Sequence, residues 1–208
     1  MTHEQMRTRW KAVWQSYGSQ TDADTVFDAL SSAYGAPDRH YHTLSHVADC
    51  LETLDACRDD AEDPAALEIA LWFHDAVYDT HAADNEEQSA AWAVREIGDG
   101  KGADMVRRLI LATKHGAATS SDKDSLLIAD IDLAILGADE GTFCAYENAI
   151  RREYEWVPLD IYRSKRAEIL SRFLQQDRLY KTPRFHEKYD ERARKNLTAS
   201  IARLTSAD

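Results

Sequence analysis

The chain is poor in everything that interrupts a helix. Its 208 residues include four prolines and eight glycines, so long segments run without a breaker. No stretch shows the sustained two-residue alternation between turn signals that marks a strand. Cysteine is scarce and odd in number, at three. Cys50, Cys57 and Cys144 form no C-x-x-C pair, which argues against a disulfide framework and against a cysteine zinc site. Cys50 and Cys57 fall two turns apart on one helical stripe, too far to bridge. All three read as small buried hydrophobes, and reduced thiols suit the cytoplasm. No run approaches the ~18 apolar residues of a membrane span. The opening Met1-Thr2-His3-Glu4-Gln5-Met6-Arg7 leads into no apolar stretch of a signal peptide. Positive charge is in deficit: 25 Lys and Arg stand against 37 Asp and Glu, a formal net charge of -12. That argues against a broad basic face for a nucleic-acid polymer. It does not exclude a small anionic substrate, because a metal and a few local cations reverse the field in a cleft.

What is present is helical periodicity. Trp10, Val13, Trp14 and Tyr17 make one stripe. Val26, Phe27, Leu30 and Tyr34 make a second, with Asp22 or Asp24 as its cap. Leu44, Val47, Leu51 and Leu54 make a third, with Thr43 as N-cap and His46 in the first turn. Pro64 opens a helix running through Leu67, Ile69, Leu71 and Phe73 to His74-Asp75. Further helices are expected around Ala90 to Ile97, around Met105 to Lys114-His115, and from Leu126 to a Gly137 cap. Another is expected from Phe143 to an end at Pro158, and two more over Ile161 to Leu174 and roughly Glu187 to Leu204. Gly98-x-Gly-x-Gly102 is a break; no strand precedes it, and its spacing fits no nucleotide fingerprint. Arg163, Lys165, Arg166 and Arg172 read as a solvated helix face. The expected fold is all-α, a single helical-bundle domain over residues 1–208.

The doublet His74-Asp75 stands out. It lies in the apolar run Ala70-Leu71-Trp72-Phe73-His74-Asp75-Ala76-Val77-Tyr78, where an uncompensated charge is expensive. A divalent metal is the simplest compensator, since imidazole nitrogen and carboxylate oxygen both ligate one. Three other places can supply ligands: His46 beside the third stripe, Lys114-His115 at the end of an apolar helix, and Asp130-Ile131-Asp132. Residues two apart on a helix diverge by about 200°, so Asp130 and Asp132 cannot both face one ion.

The order His46, His74-Asp75, Asp132 resembles the HD-domain superfamily of metal-dependent phosphohydrolases. It is most similar to a bacterial branch of about this length. The stretches that carry the resemblance are Arg39-x-Tyr41-His42-x-Leu44-x-His46, Trp72-Phe73-His74-Asp75-Ala76-Val77-Tyr78-Asp79, Asn85-Glu86-x-x-Ser89, Thr113-Lys114-His115, Asp130-Ile-Asp132-Leu133 and Ile150-Arg151-x-Glu153-Tyr154. They span roughly residues 39 to 154, with the N- and C-terminal helices packed on that core. The resemblance implies one divalent ion (Mn2+, Mg2+, Fe2+, Co2+, Ni2+ or Zn2+) held by His46, His74, Asp75 and Asp132. Asp132 is chosen over Asp130 because it precedes Leu133. It also implies that Asp75, Glu86 or Asp79 steers water. Arg39, Lys114 and His115, and less directly Arg151, are candidates to hold substrate phosphate. His115 is also a candidate ligand for a second metal. With only His81 beside it between the doublet and Asp132, one metal is expected, and His81 reads as a surface residue. His42 falls outside the helix that Thr43 caps. The expected activity is hydrolysis of a small phosphorylated metabolite, a nucleotide for instance, by a cytoplasmic monomer or homodimer. A non-catalytic nucleotide-binding regulatory module and an HD-type di-iron oxygenase are the alternatives.

Overall fold

A computed structural model describes residues 1–19, 21–114 and 122–206. Among them are ten α-helices, two short 3-10 turns and no strand, so the chain is all-α. Its contacts divide into two compact units, Met1–Ile131 and Asp132–Asp208. None of the described helices is long and apolar enough to cross a membrane.

In the first unit the helix starts follow local chemistry. Thr2 and Gln5 form a capping box at α1 (His3–Ser16). Asp22 accepts from the Thr25 amide to start α2 (Ala23–Tyr34). Thr43 accepts from the Ser45 amide to start α3 (Leu44–Ala56). Asp63 caps α4 (Pro64–Phe73), with Pro64 in the first turn, where a missing N–H loses nothing. Then come α5 (Asn85–Ile97), α6 (Lys101–Ala112) and α7 (Lys123–Asp132). Gly98 and Gly100 have positive φ in the break between α5 and α6, a conformation only glycine adopts cheaply.

Helix α4 is the centre of this unit. Every residue from Ala66 to Phe73 is buried, the pattern of a helix apolar all round. It packs against α1, α3, α5 and α6. Trp10, Phe27, Trp72 and Phe73 meet edge to face around its C-terminal half, while Trp10 and Trp14 stack. Each such ring removed from water is worth about 1.5–3 kcal/mol. The one charge in the buried run, Glu68, receives two hydrogen bonds from Arg9, at 2.8 and 3.1 Å, and one from Arg58. Arg9 also clasps Asp55 on α3 at 2.6 and 2.9 Å. At the other end of the unit, buried Asp124 on α7 accepts from the amides of Glu62 and Asp63, both at 2.8 Å. That clamps the start of α7 to the start of α4.

The second unit contains a 3-10 turn (Leu133–Gly137), α8 (Glu140–Glu153), α9 (Leu159–Leu174) and α10 (Pro183–Thr205). Its long α10 packs on α9 and on the 3-10 turn. Side chains of α10 tie off loose carbonyls: Asn196 donates to Leu136 and Ala138, Arg192 to Gly137, and Arg194 to Leu174, Gln176 and Asp177.

Four expectations are corrected. The helix carrying the doublet ends at Phe73, and His74 is its C-cap. The run from Leu126 tightens into the 3-10 turn at Leu133, and Gly137 is not a positive-φ cap. Glycine is needed there for close approach: a Cβ would lie 2.6 Å from the Tyr189 Cβ and 2.8 Å from its carbonyl oxygen. Helix α8 ends at Glu153, before Pro158, because Arg151 folds back onto the carbonyls of Tyr154 and Val157; Pro158 instead precedes α9. Finally, Arg166 is not on a solvated face. Its guanidinium is sunk against Glu147 and the Tyr146 hydroxyl, and Ser200 donates to the other Glu147 oxygen.

Candidate metal centre

His46 lies in the first turn of α3 and is 3% exposed. Its Nε2 is 3.1 Å from the Nε2 of His74, which sits at the end of α4 and is 1% exposed. Asp75 Oδ2 is 3.0 Å from His74 Nε2 and 3.6 Å from His46 Nε2. Two imidazole nitrogens this close either share a proton or share a cation. Their orientation favours ligation. His74 Nδ1 is 2.9 Å from the Leu71 carbonyl oxygen, which accepts a hydrogen bond from it. That arrangement assigns the proton to Nδ1 and leaves the Nε2 lone pair for a metal. Ligands at about 2.0–2.2 Å from one ion lie roughly 3.0–3.5 Å apart, close to the three spacings observed here. The donor set therefore fits a divalent ion.

The elements that hold these atoms were only partly legible. Tyr34 at the end of α2 donates to the Trp72 carbonyl at 3.0 Å, satisfying an orphan acceptor at the end of α4. Arg39 is buried and donates to the carbonyls of His42, Asp75 and Ala76 at 3.1, 2.6 and 2.9 Å. It also lies against the rings of Tyr34 and Tyr78. Its position binds the approach to α3 to the turn that carries the doublet, a task absent from its reading as a phosphate cation. The chain beyond the doublet is fastened by α5: Ser89 Oγ accepts from the Val77 amide, while Asn85 exchanges hydrogen bonds with the Asp79 backbone. His42 stacks on Tyr78, ring centroids 4.1 Å apart.

Asp132 is the last residue of α7. In the first unit His46, His74 and Cys50 each offer a ligand atom, and these atoms lie within 4.8 Å of one another. Asp130, two residues earlier, is buried and is not in this group. Cys50 joins the group only in space; by residue type and position in its stripe it reads as a small hydrophobe. The available signal was its place four residues after His46, on the same face of α3.

The remaining candidates are arranged otherwise. Lys114 donates to Glu87 at 2.6 Å and to the Ala83 carbonyl at 3.0 Å, with Glu86 at 4.0 Å. The Glu87 hydrogen bond raises the Lys114 pKa, and Lys114 lowers that of Glu87. Lys114 thus joins the end of α6 to the acidic start of α5. Asp79 is held below the usual carboxylate range by hydrogen bonds from the His81 amide and ring. His81 is exposed. His115 lies outside the described residues. Comparison with known proteins gave no match to a family model, a curated protein or a solved structure.

Proposed function

We propose that this chain is a metal-dependent phosphohydrolase of the HD type, acting on a small phosphorylated metabolite such as a nucleotide. The observation that carries the reading is the convergence of His46 Nε2, His74 Nε2 and Asp75 Oδ2 at mutual separations of 3.0 to 3.6 Å. These side chains come from the start of one helix and the end of another, where a charge needs a partner. His46, His74, Asp75 and Asp132 would hold the ion. When bound, a divalent ion supplies Lewis acidity toward a phosphoryl oxygen and makes water a competent nucleophile near neutral pH.

The chain's own groups supply position. The Leu71 carbonyl fixes the His74 tautomer. Arg39 fixes the backbone of Asp75 and Ala76. Asp75 is the least buried of the three converging side chains, at 19% exposure, and is suited to hold a proton of water at the solvent edge of the centre. Asp79 and Glu86 follow it in sequence, Asp79 on the segment that α5 fastens and Glu86 in the first turn of α5 itself. Arg39 already donates to backbone carbonyls and Lys114 to the Ala83 carbonyl and Glu87, which leaves both less free to hold a phosphate.

The test is a screen of the purified protein against phosphorylated metabolites with Mn2+, Mg2+, Co2+, Ni2+, Fe2+ and Zn2+ in turn, beside metal analysis of the protein as isolated. His74→Ala and Asp75→Ala are expected to lose bound metal and to lower hydrolysis by at least about a hundredfold. Metal binding with no hydrolysis of any compound, joined to tight nucleotide binding, would replace the enzyme with a regulatory module. Two irons per chain with oxygen uptake would replace it with an oxygenase.

A further inference from the structure

Cys50 does not belong to the ligand set the sequence motif implies. Its thiol is buried, at 2% exposure, and is in no disulfide. It stands one helical turn after His46 on α3, so the two side chains share a face. The Sγ atom lies 3.7 Å from His46 Nε2 and 3.8 Å from His46 Nδ1. It also lies within 4.8 Å of the ligand atom offered by His74. Around one ion, with bonds of about 2.3 Å to sulfur and about 2.0–2.1 Å to nitrogen, the expected separation of sulfur from a ligating nitrogen is roughly 3.1–3.8 Å. The Nε2 distance is of that size, and the near-equal Nδ1 distance sets the sulfur against the His46 ring, so the thiol must turn toward the Nε2 side to face the same ion. The contact with His46 follows from the i, i+4 spacing, whereas the approach to the His74 ligand atom, from another helix, does not.

We infer that Cys50 is a sulfur ligand of this centre, and that the centre therefore takes a thiophilic ion, Zn2+, Co2+ or Fe2+, in preference to Mg2+ or Mn2+. This rests on the metal-centre reading above. Thiolate is a soft donor and shifts selectivity toward these ions, whereas imidazole and carboxylate alone admit the harder ones. The thiol gives up its proton to solvent as the metal enters, so sulfur ligation couples affinity to pH. The metal preference thus depends on a residue that the HD pattern does not specify.

The experiment uses the full chain, stripped with a chelator and titrated with Co2+, Zn2+ and Mn2+. The expected result with Co2+ is a near-ultraviolet sulfur-to-cobalt charge-transfer band alongside the visible ligand-field bands. The charge-transfer band should disappear in Cys50→Ser and Cys50→Ala. Cys50→Ala should lower Zn2+ and Co2+ affinity about tenfold or more, while Mn2+ affinity changes less than about threefold. The band is read on the unaltered protein, so a variant that folds poorly leaves the test intact. Ligand-field bands without a charge-transfer band would overturn the assignment of Cys50 and leave the metal centre standing. Unchanged Co2+ binding in His74→Ala, or no Co2+ binding by the unaltered protein, would overturn the centre and Cys50 together.

Discussion

Arg39 is the side chain on which the geometry of the doublet most depends. Its guanidinium donates to carbonyls on both sides of the centre, His42 before α3 and Asp75 and Ala76 after α4. A lysine has neither the planar fork nor the number of donors to repeat this. Arg39→Ala leaves three carbonyls to find other donors and is expected to lower stability by about 2–4 kcal/mol, read from urea unfolding. Metal affinity should fall with it. If Arg39 served only to bind phosphate, the unfolding midpoint would stay in place and KM alone would rise. Cys50 teaches a related lesson. An isolated cysteine in an apolar stripe reads as filler, and only its neighbours in space make it a candidate ligand. Asp130 and Asp132 are also indistinguishable by residue type; their opposed directions on α7 could be read from helix geometry, but which one faces His46 could not.

Helix beginnings were legible because the chemistry that starts a helix is local. Thr43, Asp22 and Pro64 each act within three residues of where they stand. Helix ends were less so, because distant groups decide them. Arg151 folds back to stop α8 before Pro158 is reached. The turn to 3-10 geometry after Asp132 leaves carbonyls that Tyr180, Arg192 and Asn196 accept the task of satisfying. Gly137 carries this dependence in one residue. A methyl group there would meet both side chain and backbone of Tyr189, so neither rotamer change nor a small shift relieves it. Gly137→Ala is expected to cost about 1–3 kcal/mol, and a thermal melt that matches the unaltered protein would remove this account of the packing.

Across the whole molecule, charge and burial set the pH range. The chain carries a net charge of -12; buried Glu68 is matched by Arg9 and Arg58, and half-buried Glu147 by Arg166. Alkaline conditions act through phenols wholly or partly withdrawn from water, Tyr162 and Tyr17. Burial, and then the nearby Asp63 charge, pushes Tyr17 up to about 12. Burial likewise pushes Tyr162 up to about 12, with Arg166 opposing it. Unfolded, both ionise near about 10, so the folded chain holds these protons more tightly. Their contribution to stability is whole below about pH 10 and is lost as pH rises through the folded values. The urea midpoint should therefore fall steeply between about pH 10 and about pH 12. Tyr17→Phe and Tyr162→Phe should each flatten that slope; an unchanged slope in both would assign the alkaline loss to other groups.

The all-α class, the order of the helices and the residue types of a candidate metal site were determined by the sequence alone. Apolar periodicity, capping residues and the charged doublet in a buried run are one-dimensional signals of one-dimensional causes. Tertiary structure decided which atoms meet. It ended α4 at Phe73 so that His74 and Asp75 turn toward His46. It turned Arg39 onto backbone carbonyls, buried Arg166 against Glu147, and set Cys50 beside the imidazoles. Each of those outcomes depends on a partner far away in the chain, and a side chain's distance from such a partner is fixed only when the helices pack.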